Sequence, residues 1–407
     1  MIKDTKYYYF TPLGYNAVFE SQVVGWLKYY QQDGLNWQIV RTFGIKRMSG
    51  FKTKKAESLR IQTDFNISVF TLYFFPDRYL LGSFFNLMLL LLTFSKDIIR
   101  SNKIVIQSRS CGISYSLRLL KWVLNKRIRI IFDSRGAFAE EFEYNNSLKI
   151  AKNLKKYNSL KKQEQIIVSL SDVVFCVSEK LRDYHIENQP QVDKTKFFIN
   201  PCNADSTDFY FSVKERNLFR NELNVTDKFV VCYSGGLELS WQKPDVLFNF
   251  FKQFQNLHSK SFFLVLTSEV PMAQQFFNEF GFAQDTYKAF SVANNEVKGY
   301  LSAADLGVLF RDNVPMNNVA SPTKFAEYLM CGLPVAISAG VGDFSKIIEQ
   351  NNWGFIYDNK ELRKDQFDLG FSLKDCMKLR ESIASYAVKN YSKQSRIETN
   401  INIFNKL

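Results

Sequence analysis

Short apolar runs alternate with longer stretches of helical periodicity along most of this chain. The YYYF run at 7–10 reads as a first strand, and a TPLGYN loop leads from it into a helix over 18–32. Further strands are predicted at 104–107, 128–132 and 173–177, with helices between them at 115–125 and 147–169. Strands separated by amphipathic helices are the signature of a parallel sheet covered on both faces. The pattern then pauses at PCNADSTDFYF, 201–211, whose Pro, Asn and Asp mark a linker. It resumes with a helix at 213–223 and strands at 229–233, 262–266, 306–310 and 335–337. A final helix is expected over about 379–405.

Two successive βα halves in 407 residues predict two Rossmann-like domains facing a central cleft. The expected divisions are 1–203, 204–385 and a C-terminal helix, 386–407, that returns toward the first domain. One run stands apart: LLGSFFNLMLLLLTF at 80–94 is nearly all apolar. It falls short of the roughly 20 residues a membrane span needs. Its periodicity predicts a helix buried in the first domain, and the alternative is a helix lying in a bilayer face, flanked by Arg78, Lys96 and Arg100.

Charge changes the picture. Residues 1–200 carry 31 Lys and Arg against 17 Asp and Glu, a net +14, whereas residues 201–407 carry a net −1. A basic half beside a neutral one implies an anionic surface partner. Six cations, Lys46, Arg47, Lys52, Lys54, Lys55 and Arg60, crowd one short segment with Glu57 alone in opposition and Met48 and Phe51 interleaved. No helix-turn-helix, zinc or RNA-binding signature accompanies them, so an anionic membrane is the expected partner and nucleic acid is not. Six cysteines without a close pair, most in apolar runs, fit a reducing compartment. The N-terminal residues lack the apolar stretch of a secretory leader, so a cytoplasmic protein is expected. Two histidines, His185 in a polar turn and His258 at a helix end, are assigned no catalytic role, and no DxD or clustered His and Asp suggests a metal.

The segment ASPTKFAEYLMCGLPVAIS, 320–338, carries the most chemistry. Ser321, Pro322 and Thr323 open a helix, and its free N–H groups and dipole suit a phosphate. Lys324 and Glu327 share one face of that helix, three residues apart. The lysine adds positive charge, and the glutamate can accept two hydrogen bonds from a ribose diol. This segment resembles the donor-site motif of family 4 retaining glycosyltransferases, whose fold is GT-B. The resemblance runs over nearly the whole chain, through FDSRGAFAEEF (132–142), VSEKLRDY (177–184), VCYSGGLELSWQKPDVLFNFFKQF (231–254) and NNEVKGYLSAADLGVLF (294–310).

The resemblance implies a transferase that takes sugar from a UDP- or GDP-linked donor, with retention and without a metal or other cofactor. It implies that Glu327 binds the ribose, that Lys324, with Ser321, Pro322 and Thr323, serves the diphosphate, and that Asp133 and Arg135 lie near the donor phosphate or the acceptor. Val292 marks the backbone where the base would sit. Gly14, Gly235, Gly236 and Lys243 belong to the loops that approach the phosphates. The implied acceptor is a glycan or lipid-linked glycan in capsule, O-antigen or exopolysaccharide assembly, met at the inner face of the plasma membrane. Two departures are clear: the family's first glutamate, eight positions before Glu327, is replaced by Val319, and the arginine and lysine that hold the diphosphate after the donor-domain strand are matched by Gly236 and Trp241, with Lys243 shifted and Lys324 the better substitute. The missing glutamate keeps open a non-catalytic sugar-nucleotide-binding subunit, and similar architecture keeps open a nucleotide-sugar epimerase, which the scarcity of histidine disfavours. Arg311 and Asp312, after a predicted strand, read as a surface ion pair.

Overall fold

A computed structural model describes residues 5–358 and 373–407. The side chains of Met48, Phe51 and Cys376 lie outside the described residues. The chain forms two compact units: Met1–Pro201 with Arg396–Leu407, and Cys202–Ser395.

The first unit is built on β1 (Thr5–Thr11), β2 (Trp37–Gly44), β3 (Val69–Phe74), β4 (Lys103–Ser108), β5 (Ile128–Ser134), β6 (Val173–Cys176) and β7 (Phe197–Ile199). All pairs are parallel, in the order β3-β2-β1-β4-β5-β6-β7. The second unit has β8 (Phe229–Ser234), β9 (Ser261–Leu266), β10 (Tyr287–Phe290), β11 (Leu306–Leu309), β12 (Val335–Ser338) and β13 (Gly354–Tyr357). They too are parallel, in the order β10-β9-β8-β11-β12-β13. Strands buried on both faces need continuous apolar side chains, and FVVCY of β8 and SFFLVL of β9 supply them. In each sheet the strand order reverses beside the first strand, between β1 and β4 and between β8 and β11. Loops leaving the carboxyl ends of such a pair diverge and open a crevice where ligands bind.

The predicted helix at 18–32 is continuous but contains a π segment, Glu20–Val24, between Ala17–Phe19 and Gly25–Gln32. The expected helix at 379–405 is two helices, Leu373–Tyr391 and Gln394–Lys406. The second belongs to the first unit's core. There Phe404 meets Tyr30, Trp37 and Phe175 edge-on, with centroids 5.1, 5.3 and 6.2 Å away, and Asn400 donates to the Tyr30 hydroxyl at 2.9 Å.

The run at 80–94 corrects the expectation of a buried helix. The Leu80–Thr93 helix packs inward through Gly82, Ser83, Asn86, Leu87 and Leu90, while Leu80, Leu81, Phe84, Phe85, Met88 and Leu92 face solvent. Its polar residues are the packed ones. Asn86 exchanges hydrogen bonds with the backbone of Phe75, and Ser83 Oγ donates to the Asp77 carbonyl at 2.6 Å. A Cβ at Gly82 would lie 2.4 Å from the Pro76 carbonyl oxygen, so only glycine allows this approach. No helix among the described residues is long and apolar enough to cross a membrane.

Because the last helix completes the first unit's aromatic core, Phe404→Ala should destabilise that unit by about 3–5 kcal/mol. A urea titration read by tryptophan fluorescence checks this, since Trp37 lies against the lost ring.

Candidate functional site

The crevice between β8 and β11 of the second unit gathers most of the residues singled out from sequence. Beyond β8 the chain turns through Gly235 and Gly236. Gly235 has φ +140, a conformation that side chains rarely adopt. Several neighbours freeze this turn. Tyr233 donates its hydroxyl to the Gly236 carbonyl at 2.5 Å, and Ser234 N–H donates to the Tyr328 hydroxyl at 2.9 Å. Glu269 Oε2 accepts from Leu237 N–H at 3.1 Å and from Thr267 Oγ1 at 2.7 Å. Glu269, Tyr233 and Tyr328 were not found from sequence, because they act through contacts between distant segments.

The helix Thr323–Met330 supplies the charges. Its N-cap is Pro322, and Ser321 Oγ accepts from Cys202 N–H at 3.0 Å, so that hydroxyl's lone pair is engaged in fastening the start of the unit. Thr323, half-buried, is the first helical residue. Lys324 runs back toward β8. Its ammonium lies 4.2 Å from the Tyr233 ring centroid and makes a long 3.4 Å contact to Gln242 Oε1. A Cβ on Gly235 would lie 2.6 Å from Lys324 Nζ. Among the described residues, no carboxylate pairs with this ammonium. Desolvation lowers the Lys324 pKa to about 7, and the nearby Arg311 guanidinium pushes the same way. The Glu327 carboxylate, one turn on, makes no hydrogen bond or ion pair among the described residues. Desolvation raises its pKa to about 7, against the pull of Lys324 and Lys393. The helix thus presents two half-buried groups of opposite charge, neither in an ion pair among the described residues.

Lys243 is brought to the same end of the sheet but is already compensated. It lies 3.6 Å from Asp312 and 3.8 Å from Asp245. Asp312 therefore faces Lys243, whereas Arg311 Nη1 donates to Asn317 Oδ1 at 3.3 Å and Arg311 acts electrostatically on Lys324. Val292 follows the carboxyl end of β10, two strands from β8, or about 10 Å across the sheet. It is half-buried against the core. Val319, at the place of the family's first glutamate, is 5% exposed and belongs to the unit's interior.

The remaining candidates lie in the first unit. Asp133, at the end of β5, is buried and engaged. It accepts from the Tyr9 hydroxyl at 2.5 Å and pairs with Arg135 Nε at 2.8 Å. The ion pair holds both charges in one compact group. Gly14 lies exposed in the loop after β1, and a Cβ there would meet nothing, so packing does not demand glycine. At the β1/β4 crevice, Arg109 is buried, donates through Nη2 to Gln22 Oε1 at 2.5 Å and leaves Nη1 without a partner. Gln22 comes from the π segment, so that irregularity has a use. Arg109 carried no sequence signal beyond following a strand. His185 is not in a polar turn. It lies buried in the Glu179–Asn188 helix with Nε2 2.8 Å from Ser134 Oγ, and burial lowers its pKa to about 3, keeping the ring neutral.

No protein-family model matches the sequence, and no curated protein matches it. Solved structures do. The chain is similar to Anabaena HepE, solved in complex with UDP-glucose, at 14% identity and a TM-score of 0.69, covering 99% of this chain and 100% of that one. A glycosyltransferase from Rickettsia africae matches at 14% identity and 0.69, over 99% and 98%. Sucrose-phosphate synthase from Thermosynechococcus elongatus matches at 12% and 0.65, over 99% of each chain. These relatives share the GT-B fold, and this chain has it.

Gly235→Ala should strain the turn by about 1–3 kcal/mol and displace Lys324. Thermal unfolding measures the first effect, and a return of the Lys324 ammonium toward an ordinary lysine pKa, followed by NMR of labelled lysine, measures the second.

Proposed function

We propose that this chain is a retaining glycosyltransferase that takes a sugar from a nucleotide-diphosphate donor. The observation that carries the proposal is the pair Lys324 and Glu327, half-buried on one helix face at the β8/β11 crevice with no ion pair among the described residues. An ammonium without a carboxylate, beside a glycine turn and a helix N-terminus, suits a diphosphate. An ionised glutamate one turn away suits the two hydroxyls of a ribose. The UDP and UDP-glucose held by HepE support this donor class.

In this reading the diphosphate leaves as negative charge develops on it, and Lys324, Arg311 and the N–H groups after Pro322 stabilise that charge in place. Anchoring the ribose on Glu327 fixes where the anomeric carbon lies. Gly235 and Gly236 let the turn approach the phosphates, Ser321 and Thr323 line the helix start, and Val292 borders the base. Lys243, already paired, holds the loop. In the first unit, Asp133 and Arg135 act together to shape the acceptor side, and Gly14 keeps the loop after β1 free of a side chain. No divalent metal is needed, since the cations of the chain carry the charge. The proposed acceptor is a lipid-linked glycan in bacterial surface polysaccharide assembly, reached from the cytoplasmic face of a membrane.

Binding needs Lys324 protonated and Glu327 ionised, so UDP affinity should peak near neutrality. Above about pH 7 it should fall by up to tenfold per unit as Lys324 gives up its proton, and Lys324→Gln should flatten that limb. Glu327→Gln should flatten the acid limb. Calorimetry across pH reads both. At pH 7, Lys324→Gln should cost about 1.5–3 kcal/mol of UDP affinity. Wild type should prefer UDP over its 2′-deoxy analogue, and Glu327→Ala should lose the preference. Equal binding by wild type and Glu327→Ala would refute the donor site. Sugar transfer should also survive exhaustive chelation, measured as nucleotide release in excess EDTA; loss restored by a divalent ion would remove the metal-free mechanism.

A further inference from the structure

The Leu80–Thr93 helix is built inside out. Six large apolar side chains, at spacings of one and four residues, make one stripe along its outer face, with Leu80 81%, Leu81 72% and Leu92 74% exposed. No charged residue occurs between Leu80 and Thr93. A contiguous apolar face of this kind on a soluble surface marks an interaction site. The helix is also fixed rigidly behind that face. Gly82, Ser83 and Asn86 fasten it to the 75–79 loop, and Asp77 in that loop is buried, accepting from the backbone N–H of Tyr115 at 2.7 Å and of Ser116 at 3.1 Å.

Charge around the face is sorted. Arg78 precedes the helix and Lys96 and Arg100 follow it, all exposed. The acids close by are withdrawn: Asp77 is buried, and Asp97 accepts from the Tyr8 hydroxyl. Farther along, Glu57 is drawn into a 2.5 Å pair with buried Arg41, which takes the one acid out of the basic 46–60 segment. Two cations of that segment, Lys46 and Arg47, line a cavity of about 360 Å³ together with Phe43, Phe74 and Phe75. Phe75 packs on Phe85 of the apolar face, with centroids 5.5 Å apart. The cavity wall and the exposed stripe are therefore continuous.

We propose that this face docks the protein on an anionic bilayer, the stripe entering the acyl boundary and Arg78, Lys96 and Arg100 lying among the headgroups. Apolar contact supplies the affinity and the flanking cations select negative lipid. The cavity beside Phe75 then opens next to the lipid layer, with Lys46 and Arg47 available to a phosphate at its mouth. The proposal gives the lipid-linked acceptor suggested above a route to the first unit, but docking itself does not depend on that reading.

Flotation of the full chain with vesicles of equal parts phosphatidylglycerol and phosphatidylcholine is the test. Wild type should float with these vesicles and much less with phosphatidylcholine alone. The triple substitution Leu80→Ser, Leu81→Ser, Leu92→Ser should lower partitioning by about tenfold or more, and the substitutions Arg78→Glu and Lys96→Glu should remove the preference for anionic lipid. These residues are exposed, so thermal unfolding and UDP binding should match wild type in every variant. Wild type that stays in the soluble fraction overturns docking, as does a triple variant that floats equally well. A wild-type dimer, seen by light scattering and split by the same triple substitution, would assign the face to a second copy and also overturn it. UDP calorimetry on the same samples separates the two ideas: binding without flotation removes docking and leaves the transferase, and flotation without UDP binding does the reverse.

Discussion

Holding one ammonium in a partly desolvated corner without a carboxylate is the constraint around which the second unit is arranged. Lys324 reaches that corner because Gly235 has no side chain and because Tyr233 offers a ring face instead of an anion. The turn that makes room is held by Tyr233, Tyr328 and Glu269, which come from β8, the Thr323–Met330 helix and the loop after β9. Each tether consumes a polar group that the turn would otherwise leave exposed, so among the described residues the ammonium there is left without an anion, held by the Tyr233 ring and a long contact to Gln242. An anion that binds recovers the interaction the fold withholds.

The same unit pairs its other buried charges thoroughly, which gives the exception meaning. Asp305, fully buried, receives Arg216 at 2.5 Å, Arg220 at 2.9 Å and the N–H of Val230 at 2.9 Å. Arg380 donates to the carbonyls of Cys331 and Ala304. A sequence able to satisfy Asp305 three times over could satisfy Glu327 as well. Structural ion pairs tie the Val213–Glu222 helix to the sheet, whereas Lys324 and Glu327 lie within one turn and still leave each other unpaired. Perturbed, unpaired groups of this kind concentrate where ligands bind.

How much of this was legible in the sequence depends on how local the signal is. Strands such as β8 and β9 were read from unbroken apolar runs. β2 was missed because Arg41 interrupts it, and that arginine is tolerable in a buried strand only through Glu57, Ser58 and the Lys54 carbonyl, all from the Phe51–Phe65 helix. The three-residue β7 was too short for a period to show, and Lys288 interrupts β10. Lys324 and Glu327 were found because a three-residue spacing within one helix fixes their common face. Glu269, Tyr328 and Arg109 were not found, since their roles arise from strand order, which brings distant loops to one sheet edge.

The Leu80–Thr93 helix shows the opposite failure, a strong signal read with the wrong sign. Hydrophobicity alone cannot say which face of an apolar helix is packed. The informative residues were the small and polar ones, Gly82, Ser83 and Asn86, which fall on a single face. That face lets the backbone come close to the 75–79 loop, and it offers Asn86 for the backbone groups of Phe75. Leucines in those positions would hold the helix away and leave the loop's polar groups unmet. Once polarity is committed to packing, the apolar residues have only the outside left. The free chain therefore carries two unmet interactions of opposite kind, one ionic in the second unit and one apolar in the first. Both are affordable because neither is where the cores are made, in the aromatic cluster around Phe404 and in the stacked strands β8, β9 and β11.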